Sequence, residues 1–373
     1  MKQLLVIAIA LASTNAFASR ARVTSLGNSA HITDTQSIFS NPAKMFLMGD
    51  FVSLESGKTA TNAGASLTNP NDNAEGTIVR TMGDAKWALA LGHKSENASA
   101  FGLRRIMDLV PATNVTEQQN PVEFSYGMKS GDMTWGATLV YSNYNDKAQE
   151  IKEDSAGVRF GLLMGAWDID AGVGLSSNVK DKTAAGGQGV DFKGTGSYSV
   201  GAGYTMENLY VYGNAAIVGA KMENQTTGAE LAKVDVTRIN LGVVSSHKKD
   251  GNEFFYGAKL ASYNQKDKTS DNKVTQLSLP VIVGLEAEAT SWMTLRGSLT
   301  QTVILDNAKD ETAGTVNSEE APGTNNTTAA IGAGLKFNKI TVDGSLEGLT
   351  GGAASQDLSG DTLLTTVGLT YMF

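Results

Sequence analysis

No cysteine occurs anywhere in the 373 residues, so neither a disulfide framework nor a thiolate nucleophile is available. The fold must rest on backbone ladders and packing. Histidine is nearly as scarce: His31, His93 and His247 are the three, in unrelated contexts with no partner pattern for a serine nucleophile or a metal. An enzyme is therefore not expected, and no cofactor or metal site is expected either. Past the first 18 residues no run of about 18 apolar residues occurs, which excludes a membrane-spanning helix. A formal net charge of -8 leaves no broad basic face, so nucleic acid is not an expected partner.

What the chain has in quantity is glycine, 41 residues spread through alternating segments. Small residues at that density suit a wide barrel whose lumen stays open better than a packed core. Residues 1–18 read as a signal peptide: Lys2 supplies the positive start, residues 4–12 a short apolar run, and Ala16-Phe17-Ala18 a cleavage site, so export is expected. Residues 19–49 lack strand periodicity and read as a periplasmic or lumen-entering segment. The rest, 50–373, alternates with period two.

About 16 strands fit that alternation, joined in turn by tight turns and longer polar loops. Tight turns fall at Gly83-Asp84-Ala85, Ser130-Gly131, Gly165-Ala166, Met206-Glu207, Lys249-Asp250-Gly251, Thr290-Ser291 and Lys339, with long connections between them. Such a rhythm belongs to transmembrane antiparallel β-barrels, short side to the periplasm, and an open sheet would leave backbone groups unpaired in lipid. The expectation is an all-β barrel in the outer membrane of a Gram-negative cell, with both termini periplasmic. The acidic stretch 307–326 reads as a solvated external loop.

One phase of each strand is apolar, as in Trp167, Ile169, Ala171, Val173 and Leu175, and is expected to face lipid. Trp87, Trp135, Trp167 and Trp292 each follow a short turn closely, which places an aromatic girdle at one rim. The opposite phase carries Lys86, Glu123, Lys129, Arg159, Asp168, Asp170, Arg238, Lys259, Glu286, Glu288, Arg296, Lys336, Asp343 and Glu347. Charges facing lipid near the midplane cost about 2–4 kcal/mol each, so these are candidate pore-lining residues, or partners in pairs that plug the lumen. Arg104 and Arg105, in the connection 96–120, are candidates for a constricting loop. Pro280 interrupts an otherwise good strand and suggests a bulge or bend.

The final strand, DTLLTTVGLTYMF, resembles the closing strand of Gram-negative outer-membrane barrels, which ends in Phe. That resemblance implies that Tyr371 and Phe373 act as a signal to the outer-membrane assembly machinery. DTQSIFSNPAKM, residues 34–45, is similar to the Asn-Pro-Ala element near the start of the fatty-acid transporter barrels, which implies a carrier of hydrophobic molecules. The strings ASRARVTSLGNSAHITDTQSIFSNPA and NPVEFSYG resemble the porin-like major outer-membrane proteins of predatory bacteria, the PopA type. This last resemblance implies a ring-shaped homo-oligomer enclosing outer-membrane lipid. The leading expectation is a general-diffusion porin passing small hydrophilic solutes and ions; the alternatives are that ring-forming structural protein and a transporter of hydrophobic molecules.

Overall fold

The computed structural model describes residues 19–58, 72–93, 120–148, 150–182, 189–312, 315–320, 327–350 and 363–373. A short helix α1 (Arg20–Ser25) and two 3-10 turns, η1 (Thr35–Phe39) and η2 (Pro42–Leu47), precede the strands. Then follow β1 (Phe51–Lys58), β2 (Asp72–Met82), β3 (Ala85–Leu91), β4 (Val122–Ser130), β5 (Met133–Asp146) and β6 (Ile151–Met164). Next come β7 (Trp167–Asp181), β8 (Val190–Met206), β9 (Leu209–Asn224), β10 (Glu230–Lys249), β11 (Asn252–Asp267) and β12 (Lys273–Thr290). The chain ends with β13 (Met293–Thr312), β14 (Thr315–Glu320), β15 (Thr327–Phe337), β16 (Ile340–Thr350) and β17 (Leu363–Met372).

All neighbouring pairs are antiparallel, and β17 closes on β1 with Phe51 opposite Met372. Because β13 pairs with both β12 and β15, sixteen strands make the closed wall; β14 pairs with β13 only. Closure leaves no sheet edge, as a barrel in lipid requires. The last strand therefore closes on the chain's own first strand.

Two-residue turns join the strands at one end, and Gly83, Gly131 and Gly165 take φ of +62°, +60° and +59° there. Positive φ at such positions matches the turn to the strands' twist. The tryptophans gather at this turn end. Trp167 packs on Tyr204 with ring centroids 4.7 Å apart, Trp135 on Tyr126 at 6.2 Å, and the Arg80 guanidinium lies 4.2 Å from the Phe373 ring.

On the outer face next to the turns the strands show Leu139, Tyr141, Phe160, Tyr198, Val200, Leu241, Leu285 and Leu295, all exposed. This is the apolar band of a spanning barrel. One part of the chain differs from the expectation. Residues 307–326 do not form only a loop: β13 runs to Thr312, and β14 folds back on it. A hairpin extending past the membrane stands in water, so it can form without the apolar phase by which spanning strands are recognised.

β6 to β11 also change character toward their loop ends. A register shift lies between Ala156 and Gly157 against β7, and another between Gly194 and Gly196 in β8. Each extra residue swaps inside for outside. Beyond the bulges Val179, Val190 and Phe192 point inward and are at most 1% exposed, and they join Ile151, Val218, Met222, Val234 and Val236 in one buried cluster. The outer side at that height carries Lys193 and Lys221, each 2.6 Å from Glu223.

Candidate functional site: the stoppered lumen

Residues 19–49 pack inside the barrel. α1 lies against β13, β15, β16 and β17, while η2 lies against β3, β4, β5 and β6 on the opposite wall. A segment touching both sides of a closed wall crosses the lumen.

Its local structure follows from its caps. Asp34 caps η1 through Gln36 N–H, and Asn41 caps η2 by accepting from Ala43 N–H at 2.9 Å, with Pro42 at the first position, where its missing N–H costs nothing. α1 ends on Gly27 and Asn28, both at positive φ, and Asn28 N–H closes the turn on the Val23 carbonyl at 2.9 Å. Leu26, Ile38 and Met45 are buried, the last two with Phe51, Val79 and Ala88 of the wall. Burial of each is worth about 1.5–3 kcal/mol.

Charge fixes the segment in place. Arg22 makes a two-pronged pair with Glu286, at 2.8 and 2.9 Å; Arg296 meets the same carboxylate at 2.6 Å and Asp343 at 2.5 Å. Arg20 reaches Glu75 at 2.6 Å, and Gln36 donates to both Glu55 and Glu75, at 2.8 and 2.9 Å. His93 lies 2.9 Å from Glu75 and stacks on Phe39. His31 faces Glu253 at 3.0 Å. On the far wall Lys44 and Asn41 both reach Asp168 at 2.6 Å. A buried pair adds little net stability, because desolvation offsets attraction, but removing one partner leaves an uncompensated charge. The network thus fixes position more than it adds stability. Burial also pushes the Asp34 carboxyl up to about 7, and Arg22 offsets only part of that rise.

The glycines have a role other than the expected one. A Cβ on Gly136 would sit 2.7 Å from the Pro42 backbone, and one on Gly332 2.6 Å from Ser25; Gly161 faces Asn41 and Gly368 faces Ser19 as closely or more so. At these four positions glycine makes room for the inserted segment, where an open channel was expected.

Of the expected pore-lining residues, Lys86 donates to the Met48 carbonyl at 2.6 Å, Glu123 and Arg159 form a buried pair, and Glu286, Arg296 and Asp343 form the cluster around Arg22. Asp168 holds the inserted segment, and Asp170 lies next to it on the inner row of β7, beside Gly201. Arg238, Lys336 and Glu347 are half-buried on the inner rows of β10, β15 and β16. Lys259 lines a half-open recess beside residues 27–30. Arg104 and Arg105 lie outside the described residues. Tyr371 and Phe373 sit together at the turn-end rim, ring centroids 5.3 Å apart. Sequence reading missed the acids Glu55, Glu75 and Glu253 that receive the segment. Their signal was the cluster Arg20, Arg22 and His31 in a segment lacking strand periodicity, which calls for buried acids on whatever encloses it.

No sequence-family profile and no curated protein matches the chain. Solved structures do resemble it in fold. A Pseudomonas aeruginosa FadL homologue covers 96% of this chain and 98% of its own at 12% identity, TM-score 0.46. The CymD monoaromatic hydrocarbon channel aligns over 95% and 97% at 12% identity, TM-score 0.44. CdiB from Acinetobacter baumannii aligns over 87% of this chain at 9% identity, TM-score 0.45, and this chain spans 60% of its length. These likenesses carry no argument at such scores; the closed sixteen-strand antiparallel wall with its apolar outer band is what marks the chain as a β-barrel of the outer-membrane type.

Proposed function

We propose that this protein sits in the outer membrane of a Gram-negative cell and passes small, largely apolar molecules through a lumen that its own N-terminal segment closes at rest. The observation that carries this reading is the burial of the lumen. A sixteen-strand barrel is wide enough for an aqueous channel, yet the inner-row residues Thr138, Ser142, Asp343 and Thr366 are at most 2% exposed. Toward the loop end the inner wall carries a buried apolar cluster around Phe192, Val218 and Val234, beside the acids Glu153 and Asp181, and that cluster suits a hydrocarbon better than a sugar or an ion. The Asn41-Pro42-Ala43 element adds support, since it ties the closing segment to Asp168.

A general-diffusion porin is the second reading. It is favoured by the charged inner rows and requires residues 19–49 to leave the lumen. Expression in a porin-deficient Gram-negative host, followed by uptake of labelled monoaromatic and sugar solutes, separates the two. Faster uptake of the aromatic alone is the expected result. Faster uptake of the sugar with no change for the aromatic would sink the transporter reading.

A further inference from the structure

Lys259 is an inner-wall charge beside the inserted segment that makes no ion pair with it. It lies on the inner row of β11, between Glu253 and Phe255 toward the turns and Tyr263 and Gln265 toward the loops. The acids nearest along those rows are engaged: Glu253 with His31, Ser246 and Lys248, and Glu286 with Arg22 and Arg296. Among the described residues no carboxylate, carbonyl or hydroxyl accepts from the Lys259 ammonium. A half-buried ammonium without a counter-charge is costly to keep, and the wall offers nothing to repay that cost.

The surroundings add a recess. One side of it is the turn 27–30 of the inserted segment, with Asn28 and Ser29; the other is Tyr212, Val244, Ile282 and Pro280 of the wall, with Thr300 at hand. The wall itself is irregular there. The β11–β12 ladder stops at Ala258 opposite Val281 and resumes at Ala261 opposite Ser278, and the register against β13 shifts between Ser278 and Pro280. Pro280 has no N–H to donate, so the ladder opens beside the Lys259 side chain. The result is a half-open recess with one cation, a few hydroxyl and amide groups, and apolar side chains among them. A single cation beside apolar side chains gives a charged group an anchor and an attached apolar group a surface to lie on.

We propose that this recess binds a small organic monoanion, a carboxylate with a short apolar body, whose charge pairs with Lys259 and whose body lies against Tyr212, Val244 and Ile282. Such a ligand bridges the turn 27–30 and the wall, so occupancy holds the inserted segment in the lumen. The site stands on its own geometry, whether or not the barrel carries apolar cargo.

Binding is the readout, so this test and the uptake test fail independently. Benzoate, benzamide and inorganic phosphate are titrated into the purified full-length protein in a non-ionic detergent by calorimetry. Benzoate is expected to bind saturably and at least tenfold more tightly than benzamide or phosphate. K259M is expected to lose at least tenfold for benzoate, and K259R to recover most of it. Both variants are first checked for the heat-modifiable mobility of a folded barrel, and K259R keeps the test valid if K259M fails to fold. Equal binding of benzoate and benzamide would overturn the charge pairing. Phosphate binding as tight as benzoate, lost in K259M, would overturn the apolar part. Unchanged benzoate binding by K259M, or no saturable benzoate binding by the wild type, would overturn the site.

Discussion

The two ends of this lumen are built on opposite plans. At the turn end the wall is apolar outside and polar inside, and its charges are occupied by Arg20, Arg22, His31 and Lys44 of the inserted segment. At the loop end of β6 to β11 the wall is charged outside, with Lys193, Lys221 and Glu223, and apolar inside, with Phe192, Val218 and Val234. The first plan suits lipid around a polar filling. The second is that of a soluble domain, water outside and a buried core within. The bulges in β7 and β8 let one strand serve both plans, since a single extra residue exchanges its faces.

The largest expected effect tests the turn end as a whole. Deleting residues 19–48 should turn a barrel that is silent or nearly so in a planar bilayer into one with large, steady conductance steps. An equally silent deletion variant, shown to be folded by its heat-modifiable mobility, would place the closure elsewhere. Next in size is the charge network at Arg22. Glu286→Ala leaves two guanidiniums buried without their shared acceptor and should cost about 3–5 kcal/mol in urea unfolding. A variant in which Glu286 and Arg22 are both replaced by apolar residues should recover part of that loss.

The loop end is tested by a pair of substitutions. Phe192→Ala should cost about 3–5 kcal/mol, as removal of a core aromatic does, while Val200→Ala on the exposed outer face should cost about 1 kcal/mol or less. Equal costs would mean that the bulge in β8 does not separate a core from a lipid face. The smallest effect concerns pH. Asp34 holds its proton up to about pH 7 when buried and would lose it near 4 when free, so the folded form binds more protons between those values. Its contribution to stability is full at low pH and falls as pH rises through 7. Urea stability of the wild type should therefore drop between pH 5.5 and 8 more than that of Asp34→Asn, whose side chain does not titrate.

The strand ladder was legible because alternation and turn chemistry are local. Trp167 to Leu175 spell one face, and the turn at Gly165 needs only its neighbours to be understood. The filling of the lumen was not legible. Nothing in the alternation of β6 says that Arg159 meets Glu123 or that Gly161 makes room for Asn41, because those contacts join positions 36 and 120 apart in the chain. The loop-end core was hidden for another reason. A strict two-residue period carried through β8 points Val190 and Phe192 outward with Tyr198 and Val200, and only the bulge at Gly194–Gly196 reverses them. Lys259 was legible as an inner-row charge, but its isolation depends on every partner around it.

The lack of cysteine makes the most direct test of the closed lumen simple. Thr138 lies on the inner row of β5, 1% exposed, two residues along from Gly136, which packs on Pro42. In Thr138→Cys, labelling by a membrane-impermeant methanethiosulfonate should be slow in the full-length barrel and on the order of 100-fold faster once residues 19–48 are deleted, the ratio expected if about 3 kcal/mol holds the segment in place. Fast labelling of the full-length protein would contradict the account, because it would mean that water already fills the lumen.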